Sequence, residues 1–135
     1  MQVKTLKDEY VLADPKGRAQ VWKQEDFWKM AFDKDNPANN PKMGYLMSQF
    51  SFETDWDSWE MHPNGDEVVF CISGHIKFIL EVDGEQRVVE LKPGQYIVVP
   101  QNTRHTAKIA EPSSALFLTW GYGTENRKID ENTSV

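Results

Sequence analysis

Cysteine is almost missing from this chain: Cys71 stands alone among 135 residues. No intrachain disulfide can form, and a reducing compartment fits that usage. Clustered cations are missing too. Asp and Glu number 21 against 15 Lys and Arg, a net charge of −6. Nucleic acid and anionic membrane surfaces both call for basic patches, so the charge argues against either partner. No apolar run approaches the roughly twenty residues of a membrane helix. Met1 to Tyr10 is charged and lacks the apolar stretch of a signal peptide. Repeats and low-complexity segments are absent. These absences lead to the expectation of a cytoplasmic, soluble protein.

What is present is enough for one core. The length lies in the single-domain range, so residues 1–135 are expected to form one domain. Five tryptophans and seven phenylalanines can bury a large apolar area in a compact barrel.

From Met43 to Tyr122 short strand-like runs alternate with turn signals about eight to twelve residues apart, the pattern of an all-β sandwich or barrel. Tyr45 to Phe52, Glu67 to Ser73, His75 to Val82, Arg87 to Leu91, Gln95 to Val99, Thr103 to Ile109 and Ala115 to Trp120 read as strands. Turns are expected at Pro63 to Gly65, Gly74, Asp83-Gly84 and Lys92-Pro93-Gly94. Residues 1–42 read as an N-terminal extension. In it, Val21-Trp22 suggests an added strand, and Glu25 to Phe32 a short helix anchored by Phe27, Trp28 and Met30. Asp35 to Pro41 reads as a loop. Residues 124–135 read as a polar, frayed tail.

Four residues carry the chemistry. Glu60 and His62 are two apart on a strand-like segment and share a face. Asn64-Gly65 is a hairpin signal, and the returning chain is expected to bring Glu67 beside them. His105 begins the alternation His105, Ala107, Ile109, whose reverse face is Arg104, Thr106, Lys108. His105 therefore points inward. Imidazole nitrogen and carboxylate oxygen suit first-row divalent metals: Fe, Mn, Ni or Zn. The metal-free alternative is a buried hydrogen-bonded cluster in which the carboxylates share a proton.

The order of these segments resembles a cupin. Glu60, His62, Glu67 and Gly74 match that family's first motif with both later spacings kept, and Gly94, Pro100 and His105 match its second. The closer likeness is to small single-domain members that open Trp-Glu-x-His-Pro and later carry Gly-x-Gly-Thr-Glu, here Gly121 to Glu125. The resemblance implies a double-stranded β-helix (jelly-roll) barrel over about residues 43–122, and a metal held by Glu60, His62, Glu67 and His105. It implies no substrate. Three positions depart from the pattern. Glu60 replaces the usual first histidine, Asn102 a glycine, and Ile109 a frequent asparagine.

Several readings follow. Glu60 is either a fourth ligand or an acid or base beside a two-histidine, one-carboxylate triad. A small polar metabolite would be the ligand, with dioxygenase, isomerase or lyase chemistry open. The rival is a non-catalytic module that binds or senses a small ligand without metal. A metal-independent sugar-nucleotide isomerase with a histidine base is a third reading, weakened by the outward phase of Arg104 and Lys108. The apolar outer face at Val68, Phe70 and Ile72 needs a cover, supplied by the N-terminal segment or by the second subunit of a homodimer. Cys71 is expected to be a small core filler, His75 a solvated turn residue, and Trp56, Trp59, Tyr96 and Trp120 packing residues. Gln49 could offer the pocket an amide if its face looks inward.

Overall fold

Period-two alternation builds this molecule, a computed structural model that describes residues 1–130. The strands are β1 (Glu9–Ala13), β2 (Ala19–Lys23), β3 (Tyr45–Phe52), β4 (Ser58–Met61), β5 (Glu67–Ser73), β6 (Ile76–Val82), β7 (Glu85–Leu91), β8 (Tyr96–Val99), β9 (His105–Ile109), β10 (Ser113–Thr119) and β11 (Glu125–Lys128). One helix, α1 (Gln24–Phe32), follows β2. The strands make two antiparallel sheets, ordered β2-β1-β3-β10-β5-β8 and β11-β4-β9-β6-β7. This is the all-β jelly-roll barrel with an N-terminal extension.

Side chains from both sheets meet in one core. β5 supplies Val69 and Cys71, β10 supplies Ala115 and Phe117, β6 supplies Ile76, Phe78 and Leu80, and β9 supplies Ala107 and Ile109. In each strand these alternate with outward residues, so burial of one face sets the register. Asp83 and Gly84 adopt φ of 53° and 77°, which closes the tight β6–β7 turn with the twist a hairpin needs.

The extension is more ordered than its sequence suggests. β1 pairs with β3 and β2 with β1, so these residues widen their own sheet. α1 turns Phe27 and Met30 inward against Tyr10 and Leu12, making a second, smaller core. The strand β1 went unread because five residues flanked by charge carry little alternation.

Two further expectations need correction. Asn64-Gly65 does not close a hairpin. β4 lies in one sheet and β5 in the other, so the turn carries the chain across the barrel end. A side chain at Gly65 would stand 2.5 Å from Trp120 Cβ, and only glycine lets the crossing pack so closely. Nor is the tail frayed throughout. Glu125 to Lys128 pair with Met61 to Ser58 as β11, because β4 would otherwise present an open edge. The rest of the expected tail, 131–135, lies outside the described residues.

Candidate metal centre

Opposite walls of the barrel deliver the four side chains. Glu60 comes from β4, His62 from the residue just after it, His105 from β9 and Glu67 from the facing sheet on β5. One nitrogen or carboxylate oxygen from each lies within 4.8 Å of all the others. His105, Glu67 and His62 side chains are 0%, 2% and 3% exposed, whereas Glu60 is 28% exposed. Glu60 thus forms the open rim of a closed cluster.

The backbone and two threonine hydroxyls set which atoms point inward. His105 Nδ1 lies 3.0 Å from the carbonyl of Thr103. A carbonyl only accepts, so Nδ1 carries a proton, and in the neutral ring Nε2 offers the lone pair. His62 Nδ1 lies 2.7 Å from Thr124 Oγ1, whose own hydroxyl donates to the Gly121 carbonyl at 2.7 Å. Thr124 must then accept from His62, which fixes the same tautomer. Thr119 Oγ1 donates to Glu67 Oε2 at 2.6 Å, leaving Oε1 directed elsewhere. Ligating histidines and carboxylates are commonly oriented by such outer partners.

The inward atoms stand at ion-pair distance from one another without making well-aligned hydrogen bonds. His62 Nε2 is 3.2 Å from Glu60 Oε1 and 3.1 Å from Glu67 Oε2, and His105 Nε2 is 3.2 Å from Glu67 Oε1. Yet Nε2 of both histidines and Oε1 of Glu67 are buried with no hydrogen-bond partner. Adjacent ligands of an octahedral ion held at about 2.1 Å stand about 3 Å apart. The donor atoms are therefore spaced as neighbours around a common centre, and the residues present fit a divalent ion. Two carboxylates and two neutral imidazoles would leave such a site uncharged.

Charge on the cluster depends strongly on its members. Burial opposes a charged His62, but the carboxylates of Glu60 and Glu67 outweigh it and push the imidazole up to about 9. His105 is raised likewise: burial acts against it, and Glu67 beside it prevails. Burial would raise Glu67, but His105 and His62 pull it down to about 2. A metal must therefore displace protons to bind.

Other sequence candidates fall away from the centre. Cys71 is fully buried in the core, its thiol pushed up by burial and 3.5 Å from the Ser73 carbonyl. His75 is partly exposed and 3.6 Å from Glu90. Gln49 lies opposite Leu116, which lies opposite Phe70, on the outer face and away from the pocket. Tyr45 and Trp120 pack edge to face at 5.1 Å. Asn102 adopts φ of 63° and donates its N–H to the His62 carbonyl at 3.0 Å. It thereby takes the left-handed conformation that asparagine tolerates best after glycine. Sequence reasoning missed Thr119 and Thr124. Thr124 lies in the Gly-Tyr-Gly-Thr-Glu stretch that marks the family likeness, so a signal existed for it. Thr119 had none beyond strand phase.

Two antiparallel sheets closed around inward histidines and carboxylates that could hold a metal ion define a jelly-roll barrel. The chain belongs to the cupin family, whose domain model matches residues 51–121. It is similar to acireductone dioxygenase of Bacillus licheniformis, 41% identical over 73 residues, which are 53% of this chain and 37% of that protein. The acireductone dioxygenase of Bacillus subtilis is 38% identical over 74 residues, 54% of this chain and 38% of that one. The chain thus matches less than two fifths of these relatives' length. Among solved structures, oxalate decarboxylase of Bacillus subtilis superposes with a TM-score of 0.52 at 20% identity, covering 63% of this chain and 23% of that one. That likeness speaks to the fold. No helix among the described residues is long and apolar enough to cross a membrane.

Proposed function

We propose that this cupin holds one divalent transition metal through His62, Glu67 and His105, with Glu60 as fourth ligand, and binds a small polar metabolite there. Two fixed tautomers and three buried, unpartnered donor atoms at one point carry this reading. When bound, the ion supplies Lewis acidity and a template that brings reactants together. The protein's own groups orient the ligands, and Glu60 on the exposed rim is placed to accept a proton from an incoming molecule. Among the open chemistries, the names of the matched relatives favour dioxygenase chemistry over isomerase or lyase chemistry. The two carboxylates in the ligand set suit the harder ions of the Fe, Mn, Ni and Zn group.

A second reading has one observation in its favour. His62, raised to about 9, is an imidazolium partner for Glu67 at neutral pH, and Glu67 shifts His105 in the same direction, as a metal-free ligand-binding module would have. Elemental analysis of protein purified without chelator or affinity tag decides between them. Near-stoichiometric metal supports the metal site, and its absence supports the module.

We also propose a homodimer. Val98, Val68, Leu118, Met47, Val11 and Val21 lie directly opposite one another across all six strands of the larger sheet. The outward positions of β8, β5, β10 and β3 carry no charge, though 27% of the chain is charged. Val98, Tyr96 and Ile72 are 50%, 63% and 38% exposed, so the N-terminal segment does not cover this face. Six strands about 4.8 Å apart make a face about 24 Å across, and contiguous apolar faces of that kind mark interaction sites. A second copy suits it, since two chains of charge −6 meet with least like-charge repulsion where neither presents charge.

A further inference from the structure

His62 is the one member of the cluster that lies on no strand. Glu60 is paired with His105 on one side and Asn126 on the other, and Glu67 with Val99 and Thr119. Ladder hydrogen bonds hold those backbones in place. His62 instead follows the last residue of β4, and the chain from Pro63 to Asp66 then crosses to β5 in the other sheet. Pro63 has no N–H to offer a ladder. Where His62 stands therefore depends on what grips this crossing from outside.

Two turns grip it from opposite sides. In the β8–β9 turn, the Gln101 side-chain amide donates to the Pro63 carbonyl at 2.6 Å, and the Gln101 backbone N–H donates to Asp66 Oδ1 at 2.8 Å. One residue thus holds the crossing near both of its ends. On the other side, Asn64 Nδ2 donates to the Tyr122 carbonyl at 2.7 Å. That carbonyl belongs to the β10–β11 turn, which also presents the Thr124 hydroxyl to His62 Nδ1. A Cβ at Gly123 would stand 2.9 Å from Asn64 Nδ2, so glycine leaves the carboxamide its room. Gln101 and Asn64 are both exposed, and water could satisfy such groups at little cost. Their convergence on one short crossing instead removes the freedom of a segment that begins at a ligand.

We propose that Gln101 and Asn64 are positioning residues for His62: their carboxamides pin the crossing between the sheets and so hold the imidazole at the cluster. They act through the backbone from His62 to Asp66 and through the turn that bears Thr124. The effect on metal affinity rests on the metal-site reading, so the test is made both with and without metal.

Gln101→Met and Asn64→Leu keep side-chain size and lose the donor, whereas Gln101→Lys keeps a donor of similar reach. Zinc affinity is measured by competition with a chelator, and the ring signals of the three histidines are followed in 15N-labelled protein. Each loss of a donor should weaken zinc binding about three- to tenfold, and Gln101→Lys should bind close to wild type. In chelator-treated protein, both losses should speed exchange of the His62 Nδ1 proton with water and leave the His105 signals in place. The two sites are independent, so a poorly folding variant at one leaves the other as the test. Unaltered His62 exchange in both variants overturns the inference, whether or not zinc binds. So does an equal disturbance of His105, or zinc binding undiminished by both substitutions. A wild-type chain that takes up no zinc defeats the metal-site reading, and the metal-free exchange then decides the positioning role alone.

Discussion

Glu60 lies directly opposite His105 in the antiparallel β4–β9 pair. Directly opposed residues share a sheet face and stand about 5 Å apart, so a carboxylate on a half-exposed strand is held beside a fully buried imidazole. Glu60 is the member of the cluster that meets solvent, and burial ranks the four proposed ligands.

That ranking orders the effects of substitution. His105→Ala removes a buried donor and should lower metal affinity by more than about a hundredfold, whereas Glu60→Gln should lower it by about tenfold. Glu60→His should retain metal, since it adds a nitrogen donor at the same place. Competition with a chelator of known affinity measures all three. Equal losses for His105→Ala and Glu60→Gln would contradict a ranking by burial.

Thr124 is expected to act through His62. Thr124→Val removes the hydroxyl that accepts from Nδ1–H, at nearly constant volume, and should cost about tenfold to a hundredfold in metal affinity. Thr124→Ser should restore most of it. The 15N shifts of His62 provide a second readout: a merely structural Thr124 would leave the Nδ1–H tautomer intact in the valine variant.

The pH dependence of the metal-free chain follows from the raised His62. Its folded value of about 9 lies above the ordinary 6.5, so the stability it contributes is complete below about pH 6.5 and is lost as pH rises through about 9. Glu67, lowered from 4.5 to about 2, contributes stability that is present above about pH 4.5 and lost as pH falls through about 2. Thermal melts of chelator-treated protein should therefore move to lower temperature between about pH 6.5 and 9. Metal affinity should rise over the same interval, because fewer protons must leave. A metal-free melting temperature that climbs through this window would remove the basis for the cluster electrostatics.

For the outer sheet face, light scattering is expected to give twice the 15.6 kDa chain mass. Val68→Lys places a charge within the apolar row, one strand in from its edge, and should yield monomer with the proposed metal site intact, since Val68 faces away from Glu67. A wild-type monomer, or a dimer indifferent to this charge, rules out the proposed surface.

Period-two alternation makes much of this protein readable from its residues alone. It puts His105 inward, groups Glu60 with His62, and identifies Val68 and Phe70 as an outer apolar face. These inferences hold because side chains on a strand can point only two ways. Spacing within the two motifs adds the family and with it the jelly-roll. What alternation cannot encode is which strands become neighbours. Asn64-Gly65 has the chemistry of a hairpin turn, yet Glu67 reaches the site from the opposite sheet, with Trp120 packed close beside Gly65. β1 and β11 form because β3 and β4 offer them edges, not because of strong signals of their own.

The chain by itself determined the four donor side chains and the barrel that brings them inward, since residue type and strand phase are local properties. Only the tertiary structure decided what surrounds them: Thr119 on Glu67, Thr124 on His62, and the indole of Trp56 against His105. The two threonines stand 52 and 62 positions along the chain from the side chains they orient, and Trp56 and His105 are 49 positions apart. Their geometry depends on how the sheets close, which no local pattern of sequence records.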